Sequence, residues 1–442
     1  MRQSIYLGSV SLRDFGPFRG EHSFDLRDAE GNVYQWTVIL GNNNAGKTFL
    51  LKAIADLEAV DVVMEMARGV KARLSSDFGG AVELSVKTGP SMPCVPAARY
   101  YRRSLANPSS ALVSCDLLLG TSEPGGNPVQ KFDAKRPVSH EWYYGGHPSA
   151  QDAQDKAGEL KEFKIFGYGV ARRHGASSLV QNARANSESL FDPEATLLNV
   201  EEWLLRLDYA AKSKNAEAER QLKKIRELIK SDVFPEIEDF RFKFSAEESY
   251  LEFETPGGWR RLRELGYGYQ TTLSWIFDFS QKMFARYPDA ENPLAEAAIV
   301  LVDELDLHLH PRWQREIIGF LTKTFPKTQF IVSTHSPFIL QSIQEINLFV
   351  LEKDQGALRV HRPPFKTFKG WTIEEILEEI HGMEGKTQSD EFRILVEQLD
   401  KAMDRDDFEA AQDAYKRLEA ILHPTSHLRK MLRLQISQIA QP

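Results

Sequence analysis

One octapeptide constrains this chain more than anything else in it. Gly41-Asn42-Asn43-Asn44-Ala45-Gly46-Lys47-Thr48 spells G-x-x-x-x-G-K-[ST] without a gap. It follows directly on the apolar run Trp36-Thr37-Val38-Ile39-Leu40 and runs into the helical pattern Phe49-Leu50-Leu51-Lys52-Ala53-Ile54. The glycines let backbone N–H groups curl around a phosphate, and a following helix points its positive N-terminus at the same spot. Lys47 reaches the β- and γ-phosphates of a nucleotide, and the Thr48 hydroxyl can hold Mg²⁺. A strand before and a helix after are the context this loop requires, and both are present.

A second segment supplies what the first lacks. Ile299-Val300-Leu301-Val302-Asp303-Glu304 is an apolar strand ending in two acids. A carboxylate at a strand tip can hold the Mg²⁺ shell, which suits Asp303. The next acid, Glu304, can orient and deprotonate an attacking water. Alone, such a pair would be an ordinary solvated turn; the phosphate loop upstream gives it a partner. Gln329-Phe330-Ile331-Val332-Ser333 reads as the next strand, and Thr334-His335-Ser336 follows it. A neutral His335 at that strand end can hydrogen-bond a γ-phosphate. Between loop and acids, Leu265-Gly266-Tyr267-Gly268-Tyr269-Gln270-Thr271 precedes a helical pattern.

The order of these pieces, phosphate loop, glycine turn, acidic strand and then histidine, resembles the ABC-type ATPases. Leu265–Thr271 is similar to the signature L-S-x-G-x-[QE], with Gly268 at its glycine and Gly266 where serine is usual. Leu12-Arg13-Asp14-Phe15-Gly16-Pro17-Phe18 looks like the opening of RecF- and SMC-like heads, and Asp303–Pro311 resembles the DE-x-x-x-x-LHP form of RecF and OLD ATPases. Phe166–Arg173 looks like the YG-x-x-R strand of prokaryotic defence ATPases, and Leu265–Trp275 is similar to the anti-phage ATPases of the Septu kind.

The resemblance implies an α/β ABC-type P-loop ATPase head, a mixed sheet flanked by helices, over residues 1–60 and 163–351. It implies ATP and Mg²⁺ as cofactors, a homodimer or higher homo-oligomer formed through the heads, and Gly268 lying over the γ-phosphate of the opposite subunit. Asp306 would belong to a loop crossing between subunits. It further implies a separate effector nuclease as partner. The alternative is a housekeeping DNA-repair or recombination ATPase of RecF type, acting on DNA without such a partner. A fused nuclease of the OLD kind would need an early Glu and a D-x-D on strands, whereas the tail from Thr372 reads as mostly helical and is too short for such a domain.

Around these motifs the chain reads as short strands at 4–13 and 22–26, a Gly-, Pro-, Ser- and Asn-rich irregular insertion at 88–160, and a helical lobe at 199–231. Two or three strands follow at 236–263, a helix at 271–286, another from Trp313, and a helical C-terminal tail at 372–442 with Pro424 as a breaker, a possible docking surface for a partner. The net charge of −8 excludes a protein coating nucleic acid through its whole surface, though not a local basic groove. Two cysteines, Cys94 and Cys115, make neither a disulfide framework nor a metal set. No apolar run approaches the length of a membrane span, so a cytoplasmic protein is expected. His308 and His310 alternate but have no third ligand at a fitting spacing. The runs Tyr100-Tyr101-Arg102-Arg103 and Arg260-Arg261-Leu262-Arg263 read as solvated faces more readily than as nucleic-acid sites.

Overall fold

A computed structural model describes residues 4–15, 17–55, 57, 61–66, 70–75, 81–85, 99–102, 112–120, 164–175, 186–230, 234, 236–244, 248–354, 357–383, 385–405 and 407–439. The chain divides into two compact units, Met1–Gly370 and Trp371–Pro442.

The strands of the first unit, in chain order, are β1 (Ser4–Phe15), β2 (Phe18–Asp25), β3 (Trp36–Gly41), β4 (Asp61–Met66), β5 (Val70–Ser75), β6 (Ala81–Ser85), β7 (Arg99–Arg102), β8 (Leu112–Gly120), β9 (Ile165–Tyr168), β10 (Asp239–Phe244), β11 (Ser249–Thr255), β12 (Gly258–Arg261), β13 (Ala298–Val302), β14 (Thr328–Ser333), β15 (Asn347–Asp354) and β16 (Ala357–His361). Its helices are α1 (Lys47–Ala55), α2 (Glu188–Phe191), α3 (Val200–Lys212), α4 (Ala216–Ile229), α5 (Tyr267–Arg286), α6 (Pro311–Thr324) and α7 (Pro337–Ser342).

Six strands form the central sheet in the order β16-β15-β3-β14-β13-β9. All its pairings are parallel except β15 with β16. The continuous apolar runs read from the sequence are therefore its middle strands, buried on both faces as parallel strands are. Every residue of β13 and β14 is buried. Against one face lie α1, through Leu50, Leu51 and Ile54, and the β1–β2 hairpin, through Leu7, Val10 and Phe24. Aromatic rings pack elsewhere around the sheet: Trp36 stacks on Phe330 at 4.5 Å, Phe166 meets Phe279 of α5 at 5.3 Å, and Tyr168 meets Trp275 at 5.5 Å. This mixed sheet flanked by helices is the architecture expected from the motifs.

Gln329, fully buried in β14, does the work of a strand partner. Its amide exchanges two bonds with the backbone of Leu7, 2.9 Å from Leu7 N and 2.8 Å from Leu7 O. Leu7 sits where the β1–β8 register slips, and a side-chain amide satisfies groups that a bulge leaves without a ladder bond.

Several expectations shift. The 88–160 segment is not wholly irregular: β7 and β8 lie within it, and β8 pairs antiparallel with β1 from Ser4↔Gly120 to Arg13↔Leu112. The apolar run Leu112–Gly120 carried that signal beneath a Gly- and Pro-rich composition. The central sheet also continues past residue 351, through β16. Helix α5 starts at Tyr267 rather than 271, because Gln270 Nε2 donates to Leu265 O at 2.8 Å and closes a first turn that glycine content alone disfavours. Helix α6 starts at Pro311, a favoured first position, with His310 as N-cap. Of Tyr100–Arg103, Arg103 and the side chains lie outside the described residues. Arg261 is tied to Glu248 and stacks 3.6 Å over Tyr250.

The 199–231 lobe is a hairpin of α3 and α4, capped by Asn199 and Asn215, with Lys214 in the left-handed region at φ 67°. Leu204, Ile225 and Leu228 are buried, whereas Leu207 is only half-buried. A separate sheet joins β10, β11 and β12, and another joins β4 to β7.

The second unit is helical: α8 (Ile373–Glu379), α9 (Asp390–Met403), α10 (Phe408–Ile421) and α11 (His427–Ile439). Thr372 and Glu375 form a capping box, and Ser389 and Asp407 cap the next two helices. Leu395, Leu399, Ala414, Leu418, Leu432 and Ile436 form its core. Pro424 lies in the turn between α10 and α11. Among the described residues, no helix is long and apolar enough to cross a membrane.

Candidate nucleotide site

The loop after β3 is built on backbone that side chains would obstruct. Gly41 has φ 152°, and a Cβ there would collide with the carbonyl oxygen of Leu351 in β15. Gly46, at φ 93°, would bring a Cβ to 3.1 Å from Pro17. Asn44, at φ 63°, takes a left-handed turn that Asn tolerates better than most residues. Asn42, Asn43 and Asn44 are exposed, Ala45 is buried, and α1 begins at Lys47. The result is a concave loop closing on a helix N-terminus, where partial positive charge favours an anion.

Lys47 is 6% exposed, and its Nζ donates to Gly41 O at 2.6 Å and to Asn42 O at 3.3 Å. The same Nζ lies 2.8 Å from His335 Nε2. An ammonium only donates, so Nε2 accepts and the ring proton sits on Nδ1. Burial lowers the Lys47 pKa, opposed by the charges of Glu304, Asp303 and Asp306. Burial, then the Lys47 charge, lowers that of His335. His335 is thereby held neutral at neutral pH.

The acids arrive from the neighbouring strands. Asp303, 2% exposed, follows β13. Its Oδ2 accepts from Thr48 Oγ1 at 2.6 Å, its Oδ1 accepts from Ser333 Oγ at 2.5 Å, and its N donates to Tyr168 O at 2.8 Å. Glu304 sits at φ 48°, a left-handed conformation that disfavours an L side chain by about 1–2 kcal/mol. Its N donates to Ser333 Oγ at 2.8 Å, and its carbonyl accepts from Arg172 Nη2 at 2.7 Å. Arg172 also donates to Asp303 O and, from Nε, to Gly169 O at 3.1 Å. Burial lowers the Arg172 pKa to about 10, which leaves it charged at neutral pH beside Asp303, Asp306 and Glu304.

Asp306 turns back onto its own chain. Its Oδ1 accepts from Thr334 Oγ1 and, at 3.3 Å, from His335 N. Gln314 joins the same two segments, donating to Asp306 O and Leu309 O while accepting from Ser336 Oγ at 2.6 Å. The acidic turn and the histidine loop are therefore one hydrogen-bonded block.

Gly268 stands apart from this cluster, in the first turn of α5. A Cβ there would collide with the carbonyl oxygen of His308. Beside it, Tyr267, 55% exposed, meets the His308 ring edge-on at 4.7 Å. His308 is left-handed at φ 65°, and among the described residues no group of three or more His, Cys, Asp or Glu could hold a metal.

The structure thus brings Lys47, Thr48, Asp303, Asp306 and His335 into contact, with Glu304 beside them, and sets Gly268 against the far end of the acidic turn. A hydroxyl and a carboxylate in contact at a loop before a helix are hard oxygen donors of the kind Mg²⁺ takes, and the loop's exposed N-terminal turn suits phosphates. Both cofactors fit the residues present. Sequence reasoning missed Arg172, Ser333, Thr334 and Gln314. The place of Arg172, three residues after Tyr168-Gly169, was the one signal for it; the rest bind through backbone or short polar links that leave no pattern.

Residues 159–341, under half of the chain, match the protein family described as "AAA domain, putative AbiEii toxin, Type IV TA system". The chain is 38% identical over 146 residues to Septu protein PtuA of Bacillus thuringiensis, covering 32% of this chain and 37% of that protein. It is 38% identical over 115 residues to the Retron Ec83 probable ATPase of Escherichia coli, covering 26% and 21%. The chain thus matches little more than a third of the first relative's length and about a fifth of the second's. The SMC head domain from Thermotoga maritima aligns at 13% identity with a TM-score of 0.37, over 83% of this chain and all of that one. Over part of its length the chain is similar to Septu protein PtuA and to retron probable ATPases.

Proposed function

We propose that this chain binds ATP with Mg²⁺ at Gly41–Thr48 and hydrolyses it at a site completed by a second copy, and that this cycle controls a separate effector nuclease in anti-phage defence. The observation that carries the reading is the preassembled cluster in which Lys47 meets His335 and Thr48 meets Asp303. Lys47, released from its loop carbonyls, holds the β- and γ-phosphates. Thr48 and Asp303 hold the metal, which when bound supplies charge neutralisation at the phosphates. Glu304 takes a proton from the attacking water, and neutral His335 donates to a γ-phosphate oxygen through whichever ring nitrogen bears the proton. Gly268 and Asp306 act across the pair of heads. The names of the relatives, Septu and retron, favour defence over housekeeping DNA repair. A nuclease would come from a partner, with the helices after Thr372 as its docking surface, because Asp303 and Glu304 are committed to ATP.

The test is Glu304→Gln. Nucleotide affinity is expected to stay near that of the unaltered protein, while turnover falls about 10²–10⁴-fold. Near-normal turnover would remove Glu304 from the mechanism and the reading with it.

A further inference from the structure

We infer that Arg172 is the positioning residue for Glu304: it fixes the main chain that aims this carboxylate, and does so without touching the nucleotide. The inference rests on the reading of Glu304 as the general base.

Among the described residues, the Glu304 carboxylate has no hydrogen-bond partner. Nothing attached to the carboxylate holds its direction; that direction follows from where the main chain puts Cα and Cβ. This main chain is left-handed, so it relaxes away unless it is held. Two groups hold it from opposite sides. Ser333 Oγ accepts the Glu304 N–H at 2.8 Å. Arg172 Nη2 donates to the Glu304 carbonyl at 2.7 Å and to the preceding carbonyl of Asp303. One nitrogen, Nη2, thus bonds the carbonyls on either side of Glu304 Cα while Nε of the same plane holds Gly169 O, so clamp and anchor need two nitrogens at a fixed separation, which Arg provides and a Lys ammonium does not.

Arg172 is itself anchored. It is 2% exposed and left-handed at φ 38°, and its Nε donates to Gly169 O at the end of β9. Strand β9 pairs with β13 up to Tyr168↔Val302, so the anchor belongs to the strand beside the acids. Among the described residues, no hydrogen bond links Arg172 to the phosphate loop, whose contacts run through Lys47 and Thr48. Losing the clamp therefore affects the chemical step and spares binding. Misplacing a catalytic group by about 1 Å can cost about 10²-fold in rate.

The experiment compares Arg172→Lys and Arg172→Met with Glu304→Gln and with the double variant Arg172→Lys/Glu304→Gln. Arg172→Lys keeps the charge and guards against loss of fold. The expected result is a kcat lower by about 10²-fold with nucleotide Kd unchanged, and no further loss when Arg172→Lys is added to Glu304→Gln. Hydrogen exchange of the 303–306 peptide should quicken in Arg172→Lys, a readout that needs no turnover. Additive losses in the double variant, a weakened Kd, or unchanged exchange would each overturn the clamp. Normal turnover by Glu304→Gln together with faster exchange in Arg172→Lys would instead overturn the general-base reading and leave the clamp a structural device.

Discussion

The Thr48 hydroxyl donates to the Asp303 carboxylate across 2.6 Å, although 255 positions separate the two residues. Strand β14 makes the contact possible, standing between β3, which launches the phosphate loop, and β13, which ends in the acids. Asp303→Asn should keep the bond from Ser333 and lose the negative charge, so the fold persists while the metal is held less well. Nucleotide affinity titrated against Mg²⁺ should lose most of its metal dependence. An unchanged Mg²⁺ dependence would take Asp303 out of the metal site.

The depressed pKa values of His335 and His174 make stability sensitive to acid. Both are lowered by burial, His335 also by Lys47. Between their folded pKa values and the unfolded value of about 6.5, the unfolded chain binds more protons than the folded one. Their contribution is therefore fully present above about pH 6.5 and is lost as pH falls through the folded values. Urea midpoints at pH 7.5 and 5.5 should fall further for the unaltered protein than for a His174→Asn/His335→Gln variant. Equal falls would mean that the acid response has another source.

Two heads should be needed for hydrolysis. A Lys47→Ala chain and a Gly268→Asp chain should each be inactive, and their mixture should regain part of the activity through one intact composite site per mixed dimer. Mixed dimers shown to form without any recovered turnover would mean that Gly268 acts within its own chain, against the His308 carbonyl, and not across the dimer.

The Gln329 amide should matter for stability rather than for chemistry. Gln329→Leu leaves Leu7 N and O without their buried partners, at about 1–3 kcal/mol each. Urea unfolding should show a loss of about 2–6 kcal/mol, with ATP affinity little changed in the folded fraction. A loss below about 1 kcal/mol would mean that water reaches those groups.

What could be read from the sequence was whatever sits in contiguous chemistry. Gly41–Thr48 carries its function in eight consecutive positions, and Asp303-Glu304 terminates an apolar run that could be only a buried strand or a buried helix. Arg172 escaped because its partners are carbonyl oxygens, which every residue has. The start of α5 was misjudged because Gly266 and Gly268 argue for a turn, whereas Gln270 closes the helix from inside and Gly268 is small to admit the His308 carbonyl. The β8 pairing was hidden by averaging a short apolar run with the Gly- and Pro-rich stretches around it.

The central strand β3 has β14 and β15 as its two sheet neighbours. Both lie near residue 330 or beyond, almost three hundred positions later in the chain. On a ribosome adding about 5–20 residues per second, β3 emerges roughly 15–60 s before either neighbour. During that interval its edges are open and its phosphate loop has no Leu351 carbonyl to press against Gly41. The sheet that carries the phosphate loop is therefore completed only once β14 and β15 have been made, and the room that glycine leaves at position 41 is filled last.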